Sequence, residues 1–212
     1  MSSHSPIDQA ELVDLLRRGD PVAFRRLIEA YKRPIFLLCL RLMNDEAEAE
    51  DMTQETFIRA SQAVDQFRGD AALSTWLYRI ASNLCKNRIG YLSRRQQNSH
   101  DHLPALEERA GDLWQREVSS AVKHDQPEEA IESKEAQMMI IRALNSLPEK
   151  QKVALTLRDI QGLSYLEITE VTGASLGTVK SRIHQGRLAL IKTYHQLLNG
   201  EIVIGSEGGR DV

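Results

Sequence analysis

Apolar residues recur every three to four positions along most of the chain, interrupted by only six prolines and twelve glycines. That spacing draws an apolar stripe down one face of each of a series of helices. An all-α chain is expected. Its 212 residues suit one large domain or two small ones. With 42% hydrophobic and 27% charged residues, a core is available.

Punctuation divides the chain. A first helix is predicted over 7–18, ending at Gly19-Asp20. A second starts with Pro21 in its first turn and runs to about Met43; Pro34 should kink it or split it, because proline lacks a donor and clashes one turn back. A third covers 47–64. Residues 67–72 read as a loop, after which Ser74 or Thr75 caps a helix over 75–93. From 94 to about 127 the periodicity lapses into an acidic stretch with two prolines, a linker in which Trp114 and Val118 mark a short amphipathic helix. Helix resumes over 128–145. Ser146-Leu147-Pro148-Glu149 and Ser164-Tyr165-Leu166-Glu167 both read as capping boxes. The helix after the first stops at Gln161-Gly162, and the second opens a short helix to Thr172. Gly173-Ala174-Ser175 forms a tight turn before a long helix to Leu198. The Gly-rich tail beyond Gly200 reads as disordered. The expected plan is a domain over 1–95, an acidic flexible linker over 96–127, a second helical domain over 128–199 and a tail over 200–212.

A net charge of −3 argues against a simple nucleic-acid binder, yet its distribution is segregated. Positions 45–55 hold six carboxylates and no base; 76–95 hold five bases and no acid. Positions 101–135 carry ten acids against four bases, and 171–200 carry four bases without an acid. Local fields, more than the total, steer a polyanion.

Other classes find little support. The longest apolar run, 35–40, is far short of the ~18 residues a membrane span needs, so no membrane insertion is expected. The polar start, with Asp8 and Glu11, lacks a signal-peptide pattern. Cys39 and Cys85 fit small core residues in a reducing cytoplasm. No nucleotide-binding, nucleophile-elbow or zinc-protease motif is present. No catalytic residue and no cofactor are therefore expected. His100, His102 and His124 match no strong metal pattern, and no metal is expected there.

The last two helices form a helix-turn-helix pattern, the second of them basic. At 100° per residue Leu176, Val179, Ile183 and Leu190 share one side. Thr178, Ser181, Arg182 and Gln185 share the other, flanked by Lys180 and His184. Such groups suit base edges and phosphates, and Ser175 as cap leaves helix amides near a phosphate. An ordinary amphipathic surface helix is the plainer alternative.

On the 75–93 helix, Leu77, Ile80, Ala81 and Leu84 lie on one side, with Trp76, Arg79, Asn83, Lys86 and Asn87 on the other. Rings that stack, cations that follow the backbone and amides that read base edges suit separated strands. The alternative makes Trp76 a core residue. On the 47–64 helix, Ala49, Thr53, Phe57, Ala60 and Val64 form the buried side. Glu48, Asp51 and Glu55 form an acidic ridge beside Gln54 and Ile58. That ridge repels DNA and suits a basic protein surface, if it is more than a solvated face.

Together these segments resemble a known family. Asp51-Met52-Thr53-Gln54-Glu55-Thr56-Phe57 resembles the polymerase-clamp docking motif of sigma factors. Asp65-Gln66-Phe67-Arg68-Gly69-Asp70, followed by Thr75-Trp76-Leu77-Tyr78-Arg79-Ile80-Ala81-Ser82-Asn83, is similar to the minus-ten signature of the extracytoplasmic-function (ECF) group. Leu147-Pro148-Glu149, then 162–168 and Gly177-Thr178-Val179-Lys180-Ser181-Arg182, resemble that group's helix-turn-helix. The likeness covers about 8–95 and 128–198. It implies a factor that binds core RNA polymerase through Asp51, Gln54 and Glu55, with Glu48 and Ile58 beside them. A flipped base would lie between the loop, with Phe67, Arg68, Gly69 and Asp70, and Asn83. The minus-thirty-five element of promoter DNA would be read by the last helix. It also implies an anti-sigma factor as partner, and a linker threading towards the polymerase cleft. His184 and Gln185 depart from relatives with an aromatic residue followed by arginine. Glutamine favours adenine where arginine favours guanine, so the relatives' target sequence does not transfer. The competing reading is an autonomous helix-turn-helix regulator with an N-terminal sensor or dimerisation domain; it leaves the Trp76–Lys86 face and the Asp51 ridge without a purpose.

Overall fold

The structure, a computed structural model, describes residues 9–98, 136 and 138–200. Every regular element among them is helical. The N-terminal group comprises α1 (Gln9–Arg17), α2 (Pro21–Met43), α3 (Glu46–Ala63), a 3-10 turn (Val64–Gln66) and α4 (Leu73–Asn98). The C-terminal group comprises α5 (138–145), α6 (Glu149–Leu155) continued by a π-helical turn (Thr156–Ile160), α7 (Tyr165–Thr172) and α8 (Leu176–Leu198).

Local chemistry sets many of the boundaries. Asp20 accepts from the Val22 and Ala23 amides and caps α2, and Asn44 ends it in the left-handed conformation, which asparagine tolerates. α2 runs unbroken through Pro34, so the expected split does not occur. Fully buried Ile35, Leu38 and Cys39 directly after the proline hold the helix together; the isoleucine and the leucine each contribute ~1.5–3 kcal/mol. Asp45 caps α3 through the Glu48 amide.

α4 begins at Leu73, two residues before the expected start, because its cap comes from a distant element. Gln9 of α1 accepts from the Leu73 amide at 3.1 Å and donates to the Ala71 carbonyl at 3.5 Å. Ser146 does not form a capping box. Its hydroxyl turns back to the Ala143 carbonyl, and Pro148 stands at the start of α6 without a side-chain cap. The box at Ser164 forms in both directions with Glu167. Gly173, at φ +67°, then turns the chain into α8, whose cap is Ser175.

α2, α3 and α4 pack together, α6 packs on α8, and α7 lies against α4. One apolar cluster runs through both groups, from Leu16, Leu38 and Leu77 to Leu157, Ile168 and Ile183. Cys39 and Cys85 are fully buried and unoxidised, as core residues should be. No described helix is long and apolar enough to cross a membrane. α4 continues to Asn98, past the expected end at 93 and into the first residues of the expected linker; the rest of that linker, its Trp114–Val118 helix, the histidines at 100, 102 and 124, positions 128–135 of the expected next helix and the tail beyond 200 lie outside the described residues.

Candidate polymerase and nucleic-acid interfaces

The acidic ridge forms on α3 as its periodicity requires. Ala49, Thr53, Phe57, Ala60 and Val64 are buried. Asp51, Gln54 and Ile58 face outwards, with Ile58 49% exposed. Glu55 is half-buried and pairs with Arg59 at 2.6 Å. Glu48 belongs to a different contact: Arg88 of α4 grips it through Nε and a terminal nitrogen at 2.6 and 2.7 Å. That fork holds α3 to α4 and takes Glu48 out of the free ridge. The carboxylate holds the Arg88 guanidinium above the usual arginine range.

Between the 3-10 turn and α4, the 67–72 loop bounds a cavity of about 360 Å³, within the ~300–1,000 Å³ of small-ligand sites. Its walls are Gln66, Phe67, Arg68, Gly69, Asp70, Ala71, Thr75, Trp76, Arg79 and, from α7, Glu170. Arg17 donates to the Phe67 carbonyl and anchors one end of the loop, and Gln9 anchors the other. Gly69, at φ +83°, supplies a backbone conformation that side chains rarely adopt.

The structure corrects the placement of Trp76. It does not stand on the open face with Arg79; it is 7% exposed and packs on Phe67, itself 3% exposed, with ring centres 5.2 Å apart. α4 turns Trp76 inward because α7 covers its first turns, where Thr75, Tyr78 and Ser82 are also buried. An isolated helix projection with one buried side does not anticipate a second. Arg79, Asn83, Lys86 and Asn87 are exposed as expected. Arg79 reaches the cavity; Asn83, one turn on, does not line it. The open stripe on α4 therefore runs away from the cavity.

On α8, Val179 and Ile183 face the core with Gly186, where a Cβ would lie 3.5 Å from Gln151. Leu176, expected in the core, is 39% exposed, since it lies at the very start of the helix. Lys180, Ser181, His184 and Gln185 are exposed, and Arg182 is half-buried. Ser175 accepts from the Thr178 amide at 3.3 Å, and their hydroxyls lie 2.8 Å apart. Arg187, counted among the bases of this stretch, is held in a fork by Asp159, with one contact of 3.0 Å. Two buried cations escaped the sequence reading altogether: Arg41, 6% exposed, and Lys152, 8% exposed. Burial lowers the arginine to about 9 and the lysine to about 8, with the Arg41 charge adding to the effect on Lys152. Nothing in their local sequence marks them.

Comparison with known proteins agrees with this arrangement. The family described as Sigma-70 region 2 matches residues 27–96, and Sigma-70, region 4 matches 137–190. The RNA polymerase sigma-H factor of Pseudomonas aeruginosa is 39% identical over 188 residues, covering 89% of this chain and 94% of its own. The chain belongs to the ECF group of RNA polymerase sigma factors. The ECF RNA polymerase sigma-E factor of Escherichia coli K12 is 38% identical over 180 residues, 84% of this chain and 90% of that protein. The fold of this sigma factor is shared with the sigma factor RpoE bound to the anti-sigma factor NepR from Bartonella quintana: TM-score 0.60, 22% identity, 81% of this chain and 96% of that one. CnrH in complex with the cytosolic domain of CnrY gives TM-score 0.61 at 20% identity, over 92% and 99% of the two chains. A sigma factor directs RNA polymerase to promoters, and that is this chain's function.

Proposed function

We propose that the exposed Asp51, Gln54 and Ile58, with the half-buried Glu55 beside them, dock on a basic surface of core RNA polymerase. The cavity beside Arg68 and Arg79 takes one extruded base of the minus-ten element. Asn83, Lys86 and Asn87 carry the separated strand onward, because cations and amides on one open face suit single strands. Lys180, Ser181, Arg182, His184 and Gln185 read the minus-thirty-five duplex, and Ser175 with Thr178 opens the helix towards a phosphate. Residues 1–95 and 128–199 act as the two reading domains, joined by the acidic 96–127 linker, with 200–212 as a tail. The polymerase performs the chemistry, in the cytoplasm, and this chain supplies recognition. An anti-sigma factor is a further partner of this chain, as NepR is of the Bartonella quintana RpoE with which the fold is shared.

The observation that carries this reading is the order of three surfaces on one chain: an open acidic ridge, a cavity continuing into a basic stripe, and an open recognition helix. An autonomous regulator has no use for the first two. The test reconstitutes the chain with Escherichia coli core RNA polymerase on fragmented genomic DNA from its source and maps transcript starts. Starts sharing two motifs about 25 base pairs apart are expected. Starts no different from core alone, together with nanomolar specific duplex binding by the free chain, sink the assignment.

A further inference from the structure

The roll of α8 about its own axis is fixed by what it buries. Val179, Ile183 and Gly186 face the core, and a Cβ on Gly186 would stand 3.5 Å from Gln151 of α6. At about 100° per residue, the opposite side carries Ser181, His184, Gln185 and Leu188, all exposed. Arg182 is half-buried at the rim of that side.

The polar groups of this stretch are not equally free. Asp159 holds Arg187, with one contact of 3.0 Å. The Thr178 hydroxyl is engaged with that of Ser175 at 2.8 Å. The Gln185 side chain makes no hydrogen bond to any described residue. Its carboxamide stands in solvent with donor and acceptor both unspent.

We propose that Gln185 selects an adenine in the minus-thirty-five duplex. The inference rests on the duplex-reading role given to α8 above and adds the base that is read. Adenine sets an acceptor, N7, beside a donor, the N6 amine, on its major-groove edge. Gln185 Nε2 donates to N7 while Oε1 accepts from N6, and both ends of the amide are satisfied. Guanine presents two acceptors, N7 and O6, so Oε1 would face an acceptor with no proton between them. Cytosine offers only a donor and thymine only an acceptor, and each leaves one end of the amide unmatched. An unmatched polar group taken out of water costs more than a matched one gains, which turns the pairing into discrimination. The neighbours do not single out this base. The Ser181 hydroxyl pairs with any base edge, the Lys180 cation suits a phosphate, and a guanidinium such as that of Arg182 matches guanine.

The test uses the full chain in holoenzyme with Escherichia coli core RNA polymerase. A promoter recovered in the start mapping above is made with its minus-thirty-five segment randomised, and bound DNA is sequenced before and after selection. Wild type should enrich adenine at one position about tenfold over the other bases, the scale of one two-point base contact. Gln185→Ala should flatten that position and leave its neighbours as they were. Gln185→Arg should move the preference at the same position to guanine. No adenine preference at any position, an adenine preference that survives Gln185→Ala, or a loss spread evenly over the whole segment overturns the assignment; if Lys180→Ala and Arg182→Ala still weaken recovery or alter the selected sequences, α8 keeps its reading role. If none of these substitutions changes what is recovered, the duplex-reading role of α8 falls and the adenine contact falls with it.

Discussion

Arg88 and Glu48 form a two-point fork that ties α4 to α3. Because it is an internal brace, Arg88→Ala should lower stability by ~1 kcal/mol, discounted for its partial exposure, and leave core-polymerase affinity unchanged in the folded protein. Thermal melts and a polymerase titration read the two effects. A large loss of affinity without a drop in melting temperature would return Glu48 to the docking ridge.

Asp51 should behave in the opposite way. It is exposed, so Asp51→Lys leaves helix content and melting temperature as they are. Facing a basic partner, the reversal should weaken holoenzyme assembly at least about tenfold, as like charges meeting across an interface do. Unchanged affinity for core polymerase removes Asp51 from the interface.

Strand reading separates into two kinds of contact. Asn83→Ala should alter promoter preference at a single position of the melted region, at ~1–3 kcal/mol for a lost base contact. Arg79→Ala and Lys86→Ala should weaken every promoter variant alike, because phosphate contacts carry no sequence information. A matrix of single-base promoter variants distinguishes them; equal loss on all variants for Asn83→Ala assigns it a structural role.

Trp76 is expected to act through packing. Its ring lies on Phe67 and carries the floor of the loop, so Trp76→Ala should cost ~3–5 kcal/mol of stability. Trp76→Phe should recover most of that together with promoter melting. Near-native stability in Trp76→Ala, with melting activity lost, would make the ring a base-stacking group.

What the sequence revealed and what it hid divide along a physical line. The bounds of α2 and α8, the Ser164 box and the buried side of α3 are set by residues within a turn of one another, and all were legible. The start of α4 was misplaced because its cap is Gln9, more than sixty residues away. Ser146 was misread because its hydroxyl had a nearer acceptor behind it. Trp76 and Glu48 were misplaced because α4 is covered on a second side and braced by a second helix. Pairings of this kind exist only after the helices pack.

Lys152 shows how far the packing reaches. Its ammonium is buried beside Arg41, and its affinity for a proton is lowered from the ordinary 10.5 to about 8. The packed state therefore binds this proton more weakly than the unfolded chain does. Linkage then makes stability rise with pH wherever the unfolded state holds more protons. The sign is fixed: below about pH 8 both states are protonated and the full penalty of burying the charge applies; between about 8 and 10.5 the packed state sheds the proton and the penalty is relieved. Arg41, lowered by burial to about 9, acts in the same direction. Lys152→Met fills similar volume without a charge. It should stabilise the protein by roughly 1–3 kcal/mol at pH 7, as replacing buried charges by apolar groups often does, and should flatten the rise in melting temperature between pH 7.5 and 9.5. A variant less stable than wild type at pH 7, with the rise intact, would mean that the Leu42 carbonyl contact outweighs the buried charge.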